Sequence, residues 1–340
     1  MATAPGAAAT SAPIAVLGAG SWGTALAIQF ARAGRPTMLW GRDPAELATL
    51  AAARRNARYL PDASFPAGLR VEPDFARAVG AAVDILIAVP SHAFRATLTR
   101  LAPQLKSGQR VAWATKGFEL ASGLLPHQVA RQVLGSGVPI AVLSGPTFAR
   151  EVGQGLPTAM TVASPDERFA AELAQSLSGQ NFRAYTSPDI VGVEVGGAVK
   201  NVLAIGTGIA DGMGFGANTR IALITRGLAE MTRLGLALGA RQETFMGLAA
   251  LGDLVLTCTD DQSRNRRFGL AIAHGKTPEA AQREIGQVVE GVQAAEAVRA
   301  VAARVGVEMP IAEQVYRVLH EKGDVREAVR ALMGRELKRE

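Results

Sequence analysis

The sequence is short of cysteine, aromatic residues and lysine, and each shortage excludes something. A single cysteine, Cys258, rules out an intrachain disulfide framework and any Cys-based zinc cluster, and it suits a reducing cytoplasm. Aromatic residues make up 5% of the chain and interleave with no basic patch, so the net charge of +6 does not describe a nucleic-acid binder. Runs of five or more like charges are absent as well, which leaves a dispersed arginine-rich surface compatible with anionic small molecules. Residues 1–13, MATAPGAAATSAP, carry neither a basic n-region nor a long apolar h-region and read as a disordered tail. The most apolar later stretch, 190–210, is interrupted by Glu194, Lys200 and several glycines, a pattern that a membrane span of about 20 apolar residues does not tolerate. The expectation is a soluble, cytoplasmic protein.

What remains is ample for a folded enzyme. The 340 residues are 48% apolar and 19% charged, enough for two domains with separate cores. Short β-branched runs alternate with amphipathic segments from residue 14 onwards: 14–17, 36–40, 84–90, 109–116, 139–145, 158–164 and 181–187 read as strands. Several of them are continuously apolar, as strands buried on both faces of a parallel sheet must be. Residues 21–34 form the first helix, closed by Gly34, and Asp43-Pro44 starts the next as N-cap and first helical residue. The character changes at Ser187-Pro188. Beyond it, 188–210, 218–239, 265–274, 279–284, 290–305 and 311–321 have helical periodicity and no strand follows. The expected division is a tail at 1–13, a doubly wound α/β domain at 14–187 and an all-helical domain at 188–340.

GAGSWG, residues 18–23, is a G-x-G-x-x-G that follows the first strand and opens the first helix, the context that gives this otherwise common string its weight. Gly18 permits the tight turn, Gly20 lets a pyrophosphate approach the backbone, and Gly23 packs helix on strand, with the helix N-terminus facing the phosphates. An acidic residue about 20 positions on would hold the adenosine ribose of NAD. Asp43 has that spacing but already serves as an N-cap, and Arg42 before it suits the 2′-phosphate of NADP, so NADP is favoured with NAD still open.

Only six lysines occur, and two stand in unexpected places. Lys116 ends an apolar strand at the carboxyl edge of the sheet, where α/β proteins bind ligands. Lys200 lies in VGVEVGGAVKNVLAIGTG with scarcely another polar group. Such a lysine loses solvation unless it is paired, which moves its proton affinity towards the range useful in proton transfer. Gly196, one turn earlier on the same face, leaves that face uncovered for a ligand. The plainer reading of one such lysine is a side chain snorkelling to solvent; two of six make it less attractive. Residues 250–269, ALGDLVLTCTDDQSRNRRFG, add Asp253 as a candidate partner for a buried ammonium. They also add Ser263, Arg264 and Asn265 as a capped helix start suited to a phosphate, with Arg266 and Arg267 as a solvated basic end. Glu290 sits in a glycine-flanked turn, IGQVVEG, that spacing alone does not explain. The four histidines are scattered, and no metal-ligand pair at helical spacing is present.

GAGSWGTALA, AVPSHAF, WATKG, SGPTFA, GGAVKN, GFGANTR, LGDLVLTCT, SRNRRFG and GQVVEG occur in this order from about residue 14 to about residue 335. Together they resemble bacterial NAD(P)-dependent glycerol-3-phosphate dehydrogenases. The resemblance implies a Rossmann-like sheet followed by a helical domain of the 6-phosphogluconate dehydrogenase C-terminal type. It implies an enzyme that interconverts sn-glycerol 3-phosphate and dihydroxyacetone phosphate, mainly reducing the ketone for glycerophospholipid synthesis. It further implies NADP(H), with NAD(H) as the alternative, held by Gly18, Gly20, Ser21, Trp22, Gly23, Arg42, Tyr59, Lys116, Ala149, Arg264, Val288 and Glu290. Substrate would meet Lys116, Gly145, Thr147, Lys200, Asp253, Ser263, Arg264 and Asn265. Lys200 would be the proton acceptor, with Lys116 and Asp253 beside it in the chemistry. Thr147 stands where serine is frequent and keeps the hydroxyl. No metal, nucleic acid or membrane insertion is implied, and a homodimer is left open. Two rivals share parts of this pattern: a ketopantoate-type reductase, whose carboxylate substrate has no use for SRNRR, and a non-catalytic NADP-binding module, which has no use for buried lysines.

Overall fold

The computed structural model describes residues 12–335, so the tail expected at 1–13 lies almost wholly outside the described residues. Ten strands form: β1 Ile14–Leu17, β2 Thr37–Trp40, β3 Arg55–Asn56, β4 Leu60–Ser64, β5 Leu69–Val71, β6 Asp84–Ile87, β7 Arg110–Trp113, β8 Ile140–Ser144, β9 Thr158–Ala163 and β10 Phe182–Ser187. The helices between them are α1 Ser21–Arg32, α2 Pro44–Ala53, α3 Phe75–Ala81, α4 Ser91–Leu101, α5 Pro126–Leu134, α6 Ala149–Gln154 and α7 Glu167–Leu177. After β10 come α8 Ile190–Gly212, α9 Ala217–Ala237, α10 Asp253–Thr259, α11 Arg264–Ala273, α12 Pro278–Ile285, α13 Glu290–Arg304, α14 Pro310–His320 and α15 Val325–Met333.

Two compact units result. One runs to Lys116 and resumes from Pro126 to Ile190; the other consists of Gly117–Leu125 and the chain from Val191 onwards. The excursion at 117–125, ahead of the 187/188 division drawn from composition, has a physical cause. Phe118 and Leu125 are buried in the helical core, and the Arg304 guanidinium donates to the carbonyls of Ser122 and Gly123 at 2.9 Å each.

In the first unit eight strands lie in the order β10-β9-β8-β7-β6-β1-β2-β5, while β3 and β4 make a separate hairpin. The four residues of β1 are fully buried, as a central strand covered on both faces requires. β1 pairs in parallel with both β2 and β6, so the chain reverses its direction of winding there and opens a crevice at the carboxyl ends of those strands. The sheet departs from the all-parallel expectation at one place: β9 runs antiparallel to β8, and β10 follows β9 in parallel. At the opposite, amino edge, Asp84 is a buried carboxylate held by Arg35 and Arg110, each at 2.6 Å.

The second unit is built around α8. This helix is long and apolar enough to cross a membrane, yet 89% of its most apolar window is buried inside the unit, the signature of a core helix. Val195, Val199, Val202 and Ile205 pack with Met231, Leu254, Phe268 and Val298 from four surrounding helices. Burying each such side chain contributes about 1.5–3 kcal/mol.

Candidate active site

The glycine-rich loop is shaped as its spacing demands. Gly18 has φ +129°, and a Cβ there would lie 2.3 Å from the Ala88 carbonyl oxygen; a Cβ at Gly23 would lie 1.9 Å from the Gly18 oxygen. Around Gly20, by contrast, a Cβ would meet nothing within 4 Å. Gly20 is the N-cap of the 12-residue α1 and offers no side-chain acceptor to its first turn, so those N–H groups and the positive end of the helix dipole face that open space. The Trp22 indole Nε1, buried beside them, is a donor with no partner among the described residues. These features fit a dinucleotide pyrophosphate. Asp43 caps α2, its Oδ1 accepting from the Ala45 and Glu46 amides at 2.9 and 3.4 Å, and Arg42 before it is exposed. Tyr59 is half-buried at the turn of the β3–β4 hairpin. Lys116 closes the first unit's leading segment three residues after β7, half-buried, next to Thr115, whose hydroxyl donates to the Val89 carbonyl at 2.7 Å. Gly145 and Thr147 follow β8, with the Thr147 hydroxyl donating to the Gly145 carbonyl at 3.2 Å, and Ala149 begins α6.

The second unit holds a polar cluster inside its apolar core. Lys200 on α8 is 8% exposed and Asp253, first residue of α10, is 1% exposed. Lys200 Nζ donates to Asp253 Oδ1 at 2.5 Å and to Thr257 Oγ1 at 3.0 Å. Thr257 Oγ1 donates in turn to the Asp253 carbonyl one helical turn back, which leaves its lone pair aimed at the ammonium. The pairing expected of Asp253 is present: it is the counter-ion of the buried lysine. What brings it there is a π-helical turn at Leu248–Gly252, just ahead of α10. That turn also corrects the expectation for Gly196. The glycine does not leave a face free for a ligand; a Cβ there would lie 2.6 Å from the Ala249 oxygen and 3.1 Å from Ala250 Cα, so the π turn packs directly on α8.

Residues 263–265 start α11 as expected. Ser263 is its N-cap, accepting from the Arg266 amide at 3.2 Å, and the first-turn N–H groups of Arg264 and Asn265 lie at the helix's positive end. Arg264 is half-buried and donates to Gln287 at 3.2 Å. Asn265 is buried: its Oδ1 accepts from the Gly291 amide and its Nδ2 donates to Asn201 Oδ1, both at 2.9 Å. Asn201 Nδ2 then donates to Glu290 Oε2 at 3.3 Å, and Glu290 is the first residue of α13, with Val288 exposed just before it. One chain of hydrogen bonds thus joins the residue after Lys200 to the start of α11 and the start of α13. Arg266 corrects another expectation. It is buried, not solvated, paired with Asp211 at 2.8 Å and with Asp261, while Arg267 alone is exposed.

Sequence reasoning missed Asn201 and Thr257. Asn201 adjoins Lys200 in GGAVKN, and Thr257 lies one turn after Asp253; both signals were available only once Lys200 and Asp253 were known to meet. Cys258 is buried, and burial pushes its thiol up to about 12, away from the thiolate form that a nucleophile needs.

Comparison with known proteins decides what this arrangement belongs to. Residues 13–170 match the N-terminal part, and residues 189–330 the C-terminal part, of the family described as NAD-dependent glycerol-3-phosphate dehydrogenase. The chain belongs to that family. A glycerol-3-phosphate dehydrogenase [NAD(P)+] from Pseudoalteromonas translucida (strain TAC 125) is 58% identical over 333 residues, covering 98% of this chain and 99% of its own. Another of the same description, from Cronobacter sakazakii (strain ATCC BAA-894), is 56% identical over 97% of this chain and 98% of its own. Among solved structures, the glycerol-3-phosphate dehydrogenase of Coxiella burnetii superposes with a TM-score of 0.92 at 48% identity, covering 96% of this chain and all of that one. In this glycerol-3-phosphate dehydrogenase family member the architecture expected from sequence, a Rossmann-like sheet followed by a helical domain, is the one observed.

Proposed function

We propose that the protein reduces dihydroxyacetone phosphate to sn-glycerol 3-phosphate, and catalyses the reverse reaction, with NADP(H) preferred and NAD(H) as the alternative. The observation that carries the reading is the buried Lys200–Asp253 ion pair, joined through Asn201 to the capped, positively charged start of α11. An acid and an anion seat are thereby held on one core. Gly18, Gly20, Ser21, Trp22 and Gly23 would hold the pyrophosphate, and Arg42 the 2′-phosphate, with Tyr59, Ala149, Val288 and Glu290 as further contacts. The bound dinucleotide supplies the hydride. Lys200 Nζ holds the proton for the oxygen that develops charge at C2, and Asp253 balances the ammonium in a place where water cannot. In the oxidative direction the neutral amine takes that proton back. Lys116 would supply a further positive charge for the chemistry in this reading. Arg264, with the α11 N–H groups and the remaining donor capacity of Asn265, binds the phosphate and turns remote binding energy into orientation of the carbonyl. Gly145 and Thr147 line the substrate in this reading, and the Ser263 cap keeps the anion seat in shape.

In this reading the protein has a cytoplasmic role, supplying sn-glycerol 3-phosphate for glycerophospholipid synthesis. The test follows NADPH absorbance on adding the protein to dihydroxyacetone phosphate, with NADH, dihydroxyacetone and ketopantoate in parallel. Rapid loss with the phosphorylated ketone alone is expected, faster with NADPH than with NADH. Turnover of ketopantoate, with none of the phosphorylated ketone, would overturn the reading.

A further inference from the structure

Asn56 lies outside every motif considered so far, yet it is fully buried and touches the glycine-rich loop. It belongs to β3, and its Nδ2 donates to the Ala19 carbonyl at 3.0 Å and to Thr24 Oγ1 at 2.9 Å, while its Oδ1 accepts from the Tyr59 amide at 3.3 Å. The orientation of the amide is fixed twice over: a carbonyl can only accept, and a backbone N–H can only donate. Thr24 reinforces it, its own hydroxyl facing the same Ala19 oxygen at 3.3 Å.

The Ala19 carbonyl and the Gly20 N–H belong to one planar trans peptide and point in opposite directions. Donors that hold the oxygen on the Asn56 side therefore turn the Gly20 N–H to the other side. Gly20 is the loop residue around which a Cβ would meet nothing within 4 Å. We infer that Asn56 is a positioning residue for the dinucleotide: it fixes the Ala19–Gly20 peptide so that its N–H meets the pyrophosphate, and ties the Tyr59 turn to the same loop. The inference rests on the cofactor reading above. Among the described residues of the hairpin Asn56 is the donor to Ala19, so its amide is the part that matters.

The test compares the full-length wild type with Asn56→Ala and Asn56→Asp, using NADPH fluorescence titration, the inhibition constant of 2′-AMP against NADPH, and kcat at saturating NADPH. 2′-AMP carries the 2′-phosphate but no pyrophosphate. For Asn56→Ala the NADPH Kd should rise about tenfold or more, while the 2′-AMP constant and kcat stay within about twofold. A merely structural role would weaken both ligands together. In Asn56→Asp the carboxyl can donate to Ala19 when protonated but opposes it when ionised, so the ratio of its NADPH Kd to that of the wild type should climb with pH. That profile serves as the test if Asn56→Ala folds poorly. NADPH binding within about twofold of wild type in both variants, with a flat pH ratio, would overturn the proposal, as would equal weakening of NADPH and 2′-AMP. A wild type that binds neither NADPH nor NADH would instead overturn the cofactor reading, and that is measured first.

Discussion

Lys200 and Asp253 are buried charges, and the proposed chemistry can use them only as a pair. Replacing one partner strands the other: Lys200→Ala leaves a carboxylate that is 1% exposed without its cation, a loss of roughly 3–5 kcal/mol of stability. Turnover should fall by about 10²–10⁴-fold, the usual contribution of a general acid, while NADPH binding persists. Adding Asp253→Asn to Lys200→Ala should recover much of the thermal stability and none of the turnover, because the stranded charge is gone but the acid is not restored. Near-normal turnover of Lys200→Ala would reject the assignment. Glu230 on α9 poses the opposite case, a buried carboxylate held by backbone amides instead of an ion pair among the described residues. It is 3% exposed and accepts from the Ile311 and Ala312 amides at 2.7 and 3.3 Å, capping α14 from a neighbouring helix. Burial pushes it up to about 7, against the pull of those two amides and of Arg233 and Arg335. The folded value lies above the ordinary 4.5 of an exposed chain, so the fold binds this proton more tightly than the unfolded chain does. Its stabilising effect is complete below about pH 4.5 and is lost as pH rises through 7. Thermal unfolding should therefore find Glu230→Gln gaining on the wild type between pH 5 and pH 8, by on the order of 2–3 kcal/mol. At this scale the sequence is uneven evidence. Lysine in an apolar run is conspicuous, so Lys200 was legible, as was Asn265 at a capped helix start, whereas asparagine at positions 56 and 201 is ordinary in loops and caps and reveals its use only through its partners.

α8 and α11 meet backbone to backbone, and that contact fixes the distance between Lys200 and the start of α11. A Cβ at Gly208 would lie 2.1 Å from the Arg266 carbonyl oxygen, and one at Gly269 would lie 2.2 Å from that of Ile205. Neither neighbour is a flexible side chain, so the helices must separate. Gly208→Ala should cost about 1–3 kcal/mol by overpacking. It should also raise the KM for dihydroxyacetone phosphate several-fold, because the proposed anion seat lies at the start of α11. An unchanged KM with the expected loss of stability would mean that the seat does not depend on this crossing. Elements of this kind were legible where one period ran unbroken: the apolar runs gave β1, β6, β7 and β8, and the helical periodicities gave α8, α9, α11, α13 and α14. They were not legible between 242 and 259, where a 3₁₀ turn and a π turn interrupt the 3.6-residue repeat just before Asp253. α15 buries none of its residues fully and gives a correspondingly faint pattern. The direction of β9 was hidden for a different reason, since residue types record that a strand is buried but not which way it runs.

Over the whole molecule, the segment 117–125 belongs to the helical unit, which composition could not reveal. Nine residues leave the sheet unit after Lys116, contribute Phe118 and Leu125 to the helical core, and return at Pro126. Arg304 grips two of their carbonyls, so the excursion is held by hydrogen bonds as well as by apolar burial. A boundary drawn where strands stop and helices begin, at 187/188, therefore omits part of the second core. A fragment of residues 188–340 should be helical by circular dichroism yet bind a hydrophobic dye and unfold without a sharp transition, since the groove that takes Phe118 and Leu125 is left open to water. In the intact chain, Phe118→Ala should cost about 3–5 kcal/mol, the usual loss for a buried phenylalanine. That loss should appear in hydrogen exchange as faster opening of α13 amides, while β1 and β6 stay protected. Sharp cooperative unfolding of the 188–340 fragment would show instead that the helical core closes without the segment, and that its burial there is dispensable.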